Sequence, residues 1–229
     1  MSVLDPKVMR HLDALNYYTA TRKYDLSFPR LTQDLDADVV VIGGGFSGIN
    51  TALELAEKGI TNIVVLEGRH LGYGGTGRNG GQVMAGIGHD LNAVKKHVGP
   101  GGMETLFKIA NLGAGVIRDR VARYRIDADF CRGYGYLAYN QRQMTTLRSW
   151  FDEFRAVDPD EDIELLEGPA VRRIVGSDVY AGAIKHMGGG HVHSLNLLLG
   201  EAQALAGHGA RIFENSPAVS VEYGERITV

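Results

Sequence analysis

Asp38-Val39-Val40-Val41-Ile42-Gly43-Gly44-Gly45-Phe46-Ser47-Gly48-Ile49 is the stretch on which the rest of the chain depends. Four branched apolar residues read as a strand, and the glycines break it into a turn. Ile49, Ala52, Leu53 and Ala56 then recur at helical spacing up to Gly59, where a helix-ending glycine belongs. A second apolar run, Ile63-Val64-Val65-Leu66, ends on Glu67. The pattern is strand, glycine turn, helix, strand, with Gly43, Gly45 and Gly48 in GxGxxG spacing. Gly43 suits the tight turn, Gly45 lets backbone approach a pyrophosphate, and Gly48 lets the helix lie close to the strand. The first helical N–H groups and the helix dipole then favour the negative charge of phosphates. Glu67 lies about twenty residues past the last glycine, where an acid accepts hydrogen bonds from ribose hydroxyls.

Composition narrows the function classes. At 229 residues with a net charge of −3, and with acids and bases mixed, the chain carries no nucleic-acid footprint. Arg118, Arg120, Arg123 and Arg125 form a basic stretch diluted by Asp119 and Asp127, which reads as a solvated helix face. Cys131 is the only cysteine. It excludes an intramolecular disulfide, fits a reducing cytoplasm, and is expected to be a small buried apolar residue. No apolar run approaches the ~20 residues that cross a membrane, and the first residues lack the apolar core of a signal peptide. Glycine is the outlier, at 31 of 229 residues, nearly twice the average of about 7%. Its clusters at 43–48, 72–88, 99–102, 113–115 and 188–190 point to several close backbone approaches.

Along the chain, residues 1–36 form a polar lead-in with a short helix expected over 11–18. The sequence Gly72-Tyr73-Gly74-Gly75-Thr76-Gly77-Arg78-Asn79-Gly80-Gly81-Gln82 is too glycine-dense for regular structure. Gly99-Pro100-Gly101-Gly102 reads as a turn before a long helix over 103–125, with Leu106, Ile109, Ala110, Ala114, Ile117 and Val121 on one face. A strand is expected over 130–139, a helix over 141–157, a short strand over 163–166 and a helical turn or two over 169–174. A further strand over 179–186 is closed by Gly188-Gly189-Gly190. A helix over 194–206, with Ser194 as its N-cap, buries Leu195, Leu198, Leu199, Ala202 and Leu205. Residues 209–213 restart a strand, and 219–222 pairs with 227–229 in a hairpin about Tyr223-Gly224-Glu225. The sequence stops within that last strand, which suggests the N-terminal part of a longer protein.

Four features together resemble the D-amino-acid oxidase-like family of FAD-dependent amine and amino-acid oxidoreductases. They are the opening GxGxxG unit; Gly77-Arg78-Asn79-Gly80-Gly81-Gln82; Gly190-His191-Val192-His193 leading into a helix; and Gly209-Ala210-Arg211-Ile212-Phe213-Glu214-Asn215-Ser216-Pro217-Ala218-Val219. Within the family, the paired tyrosine and acidic approach of the lead-in are most similar to bacterial gamma-glutamylputrescine oxidases. The resemblance implies an α/β fold: a Rossmann-like FAD-binding domain over 37–129 and 190–229, and part of a mixed-sheet α+β substrate domain over 130–189. It implies that Gly43, Gly45, Phe46, Ser47 and Gly48 line the FAD pyrophosphate and Glu67 the adenosine ribose. Gly68 and Arg69 would lie beside the adenine end. Thr76, Arg78, Asn79, Gly80, Gly81 and Gln82 would run under the pyrophosphate towards the isoalloxazine ring, and Val219 would meet the adenine through its backbone. Gly75-Thr76-Gly77 departs from the family's usual small-Ser-Gly run, although Thr76 keeps a hydroxyl.

The activity implied is oxidation of a small-molecule amine or amino acid at its C–N bond, with hydride passing to the flavin, an imine product, and oxygen or another acceptor taking the electrons. The catalytic residues are not identifiable, and part of the pocket is expected beyond Val229. Two alternatives stand beside this reading: an NAD(P)-dependent dehydrogenase, since Glu67 suits a ribose of either cofactor, and a flavin-binding fragment without activity. His186, His191 and His193 lack an Asp, Glu or Cys at ligand spacing and read as ordinary histidines rather than metal ligands. His89-Asp90 follows the glycine loop and reads as a helix start rather than a ring contact. Tyr134, Tyr136 and Tyr139 suit a substrate pocket or a sheet core facing a helix equally.

Overall fold

The computed structural model describes residues 16–84 and 91–229. The expectations for residues 11–15 and for His89-Asp90 lie outside the described residues. In chain order the elements are α1 (Tyr17–Ala20), β1 (Val39–Ile42), α2 (Phe46–Glu57), β2 (Ile63–Leu66), a 3-10 turn (Gly75–Arg78), β3 (Gln82–Val83), α3 (Leu91–Arg123), β4 (Cys131–Ala138), α4 (Gln141–Val157), β5 (Ile163–Glu167), α5 (Pro169–Val175), β6 (Gly182–His191), α6 (Ser194–Gly207) and β7 (Arg211–Phe213). They fall into two compact units.

The first unit takes the chain up to Gly81, then Arg120–Ala128 and His193–Val229. Its sheet is parallel in the order β1-β2-β7, with Val39 opposite Ile63 and Val64 opposite Arg211. A parallel pair needs a crossover, and α2 supplies it. The apolar stripe of α2 (Ile49, Ala52, Leu53, Ala56) packs with Ile63 and Val65 of β2 and with Leu195, Leu198, Leu199, Ala202 and Leu205 of α6 in one buried core. Gly59, at φ +92°, terminates the helix as the spacing predicts.

The lead-in is tied to this unit by hydrogen bonds. The Phe28 and Leu31 amides donate to the Glu214 carboxylate (3.0 Å) and the Ser216 hydroxyl (2.9 Å), and the Lys23 amide donates to Asn196 Oδ1 (2.9 Å). His193, not Ser194, caps α6: its Nδ1 accepts from the Asn196 amide at 3.1 Å, leaving Ser194 as the first helical residue. An imidazole nitrogen does here what a hydroxyl was expected to do. The residues after β7 form a single antiparallel bridge, Glu222 to Thr228, rather than the full hairpin expected.

The second unit takes Gln82–Asp119 and Asp129–Val192. Its sheet is antiparallel about β6, which pairs with β4 along one edge and with β3 and β5 along the other. One face is covered by α4, whose Met144 and Leu147 pack with Ala138 and Ile184. Val171 of α5 packs against Leu166 and Ala183.

Several expectations are corrected. The turn expected over 99–102 narrows to one residue: the helical span Leu91–Arg123 (α3) is two helices that meet at a kink at Gly99, at φ 66° and ψ −179°. Pro100 just after that break needs no helical N–H, so the helix resumes. The strand expected to close at the glycine run continues through it to His191. A Cβ at Gly189 or Gly190 would overlap the carbonyl oxygens of Val83 and Cys131, so these glycines permit close strand approach instead of a turn. Cys131 is exposed at the start of β4 rather than buried. The arginine run is a solvated face only in part: Arg123 and Arg125 are exposed, Arg118 and Arg120 are not. Arg118 donates to the Gly188 carbonyl, and Arg120 is 3% exposed, bonded to Glu54 (2.9 Å), Glu57 (2.8 Å) and Asn50 (2.6 Å).

Candidate dinucleotide site

The site begins where β1 ends. Gly43, at φ +109°, turns the chain out of the strand in a conformation that L side chains rarely adopt. A Cβ on Gly48 would overlap the Gly43 carbonyl oxygen, so the first turn of α2 sits directly on the turn that precedes it. Gly45 is the N-cap of α2 and brings no side-chain acceptor, and no acid occupies the first turn. The positive end of the helix dipole is therefore left without a carboxylate of its own.

Two neighbouring segments close around that helix end. Glu67, just past β2, accepts from the Gly44 amide through Oε2 (2.7 Å) and from the Arg69 amide through Oε1 (2.8 Å). Both carboxylate oxygens are held by backbone, and each retains a lone pair for a further donor. The second segment is the 3-10 turn. Thr76 Oγ1 accepts from the Phe46 amide at 3.1 Å, and a Cβ on Gly45 would come within 3.1 Å of the same hydroxyl. Thr76 is thus placed at the α2 N-terminus, where the resemblance asks for a phosphate contact.

Asn79 organises the loop that follows. Its Nδ2 donates to the Thr76 and Gly75 carbonyls (2.9 and 3.2 Å), and its Oδ1 accepts from the Gly81 amide (2.7 Å). Arg78 donates through Nε to the Tyr73 carbonyl at 3.0 Å, and the guanidinium groups of Arg78 and Arg69 each lie 5.6 Å from the Tyr73 ring centre. Gly68 abuts Pro217, while the Ser216 amide donates to the Glu67 carbonyl (2.9 Å), so the return after β7 runs beside the end of β2. In the second unit Gln82 pairs with His191 in β3. Val219 is 91% exposed, and its side chain makes no part of the core.

The first unit thus brings together Gly43, Gly45, Phe46, Gly48, Glu67, Arg69 and Thr76 around one helix end. That cradle fits an anionic dinucleotide: a helix dipole with no acid in its first turn, a glycine track and an acid at the end of the neighbouring strand. Sequence reasoning missed the residues that hold the cradle from behind. Glu214, 7% exposed, accepts from the Leu71 amide at 2.7 Å as well as from Phe28. The signal available for it was an acid placed directly after an apolar strand. Among the described residues no group of three or more His, Cys, Asp or Glu is placed to hold a metal. Tyr136 packs into the core under α4 and against Trp150 (5.4 Å), Tyr134 stacks on His186 (4.7 Å), and Tyr139 is exposed beside Tyr180.

Comparison with known proteins bears on the family and the fold. Gamma-glutamylputrescine oxidoreductase of Escherichia coli K12 is 36% identical over 208 residues, covering 91% of this chain and 48% of that protein. The chain spans about half the length of the curated relatives it matches. In three dimensions it is similar to L-amino acid deaminase from Proteus vulgaris (TM-score 0.71, 23% identity, 87% of this chain and 44% of the other). It is also similar to glycine oxidase from Bacillus cereus (TM-score 0.60, 22% identity, 83% and 50%). At these identities the structural likeness speaks for the fold. The profile of the family described as FAD dependent oxidoreductase matches residues 38–229, and the chain belongs to that family.

Proposed function

We propose that the first unit holds FAD in a flavin-dependent oxidoreductase acting on an amine or amino acid, and that the second unit is part of its substrate domain. The observation that carries this reading is Thr76 seated on the Phe46 amide at the glycine-capped N-terminus of α2. It joins the glycine turn and the Arg78-Asn79 loop into one cradle, which a simple nucleotide turn does not require. In this reading Gly43, Gly45, Phe46, Ser47, Gly48 and Thr76 bind the pyrophosphate. Glu67, Gly68, Arg69 and Val219 serve the adenosine half, while Arg78, Asn79, Gly80, Gly81 and Gln82 run towards the ring.

When bound, FAD supplies the two-electron acceptor for oxidation of a C–N bond. The chain's own task is to orient that cofactor and hold its charge away from water. The substrate we favour is gamma-glutamylputrescine or a similar amine, supported by the identity to the E. coli enzyme over nearly the whole of this chain. Oxygen or another small acceptor would take the electrons. A cytoplasmic setting is proposed from the single cysteine in 229 residues.

The test is an anaerobic panel of amines and amino acids, including gamma-glutamylputrescine, added to the purified chain after incubation with FAD. Bleaching of the flavin by an amine supports the full reading. A yellow protein that none of them bleaches keeps the flavin-holding role and removes the amine. A colourless protein contradicts both.

A further inference from the structure

Helix α6 carries one acid within its apolar run Leu197-Leu198-Leu199-Gly200-Glu201-Ala202. Glu201 is 1% exposed. Its Oε2 accepts from Asn50 Nδ2 on α2 at 2.9 Å, and its Oε1 is buried with no hydrogen-bond partner. The polar groups that act on it are Asn50 and Glu57 of α2 and Arg120 at the end of α3, and these belong to a network with Glu54, Arg123, Tyr124 and His208.

The cation nearest this cluster is already committed. Arg120 donates to Asn50 Oδ1 and to both glutamates, and Arg123 and Tyr124 also bond to Glu57, at 3.2 and 2.8 Å. His208 lies beyond Tyr124, 3.0 Å from its hydroxyl. Glu201 therefore has one amide for a partner and no cation bonded to it, a setting that suits a neutral acid. Burial pushes its carboxyl up to about 7, against the opposing pull of Asn50 and Arg120.

We propose that Glu201 is a positioning residue for the dinucleotide site: as a neutral acid it clasps Asn50 from behind α2, and it takes up a proton when an anionic pyrophosphate binds at the N-terminus of that helix. The inference rests on the FAD reading above. Asn50 is one turn in from Phe46, about 6 Å along the helix axis at 1.5 Å per residue. A pyrophosphate at the N-terminus of α2 and an ionised Glu201, bonded from α6 to Asn50 of that helix, are like charges beside one short helix, so each disfavours the other. At roughly 12 Å and an effective dielectric constant near 20, one such repulsion corresponds to about a tenfold change in an equilibrium constant. The coupling is reciprocal: bound pyrophosphate raises the proton affinity of Glu201, and the proton raises the affinity for the dinucleotide.

The experiment is titration of the full chain with FAD at pH 6, 7 and 8, for the wild type and Glu201→Gln. It is followed by calorimetry at pH 7 in two buffers of different ionisation enthalpy, which reads proton uptake. The wild type is expected to lose affinity by up to about tenfold from pH 6 to pH 8 and to take up a fraction of a proton on binding. Glu201→Gln is expected to bind with one affinity across that range, near the wild-type value at pH 6, with the uptake removed. A flat wild-type profile, or a pH dependence that survives in Glu201→Gln, overturns the proposal. Should the variant not fold, wild-type binding without proton uptake overturns it as well. A wild type that binds no FAD at any of these pH values defeats the cofactor reading itself, a result distinct from binding without pH dependence.

Discussion

Gly48 shows how much of the site rests on single atoms. A methyl group there has nowhere to go, because the Gly43 carbonyl occupies its place. Gly48→Ala forces α2 away from β1. The expected cost is about 1–3 kcal/mol of stability, typical of overpacking, with FAD affinity falling at least tenfold as the helix amides move. Chemical denaturation and FAD titration on the same preparation check both effects. Gly43, Gly45, Gly48 and Glu67 were legible in the sequence because GxGxxG spacing and the strand-end acid are local, one-dimensional signals. Glu201, Arg120 and Glu214 were not. Their meaning lies in partners up to 186 residues away, as between Phe28 and Glu214, and no periodicity encodes such a pairing.

At the scale of elements, α2 is held on its outer side by Arg120, whose side chain is 4% exposed while Glu57 is 15% exposed. Removing one partner of a buried ion pair leaves the other uncompensated. Arg120→Ala is expected to cost about 3 kcal/mol in a urea melt, with a smaller loss at acid pH, where the glutamates are protonated. A loss below about 1 kcal/mol, the range of exposed pairs, would contradict the burial described here.

The second unit carries the opposite pH dependence from Glu201. His186 on β6 is fully buried against Tyr134 and Phe154, its Nδ1 accepts from the Gly188 amide at 3.1 Å, and burial lowers its pKa to about 4. A base with a depressed folded pKa stabilises the fold above its unfolded value near 6.5. That contribution is lost as pH falls towards 4, amounting to about 3 kcal/mol. Trp150, the chain's one tryptophan, packs on Tyr136 in this unit, so its fluorescence reports the event. Acid unfolding is expected between about pH 6 and 4, and it should shift downward in His186→Phe. An unchanged midpoint in that variant would assign the acid sensitivity elsewhere. The extents of α4 and α2 were legible from their apolar stripes, whereas β6 was not. Gly188-Gly189-Gly190 looks like a strand terminator until the neighbouring strands that need those glycines are in view.

For the molecule as a whole, the α/β fold and the family were legible because the opening βαβ unit, the Arg78-Asn79 loop and the return segment at 209–219 each carry a separate signal. The membership of the two units was harder to read. Residues 120–128 join the first unit although 82–119 join the second, so a single helix contributes to both. Helical periodicity is continuous across such a division and carries no mark of it. The cofactor was legible as well: the βαβ unit alone suits NAD or FAD, and the Arg78-Asn79 loop and the return segment at 209–219 favour FAD, in agreement with the family match.

The most direct measurement is a thermal melt of the purified chain alone, with FAD, and with NAD, each at a concentration near 100 times the expected dissociation constant. A ligand that binds only the folded state at that excess adds about 2.7 kcal/mol. A clear rise in Tm with FAD, none with NAD, and a flavin absorption band that stays with the protein through gel filtration are predicted. A rise with NAD and none with FAD, or no response to either, would contradict the account.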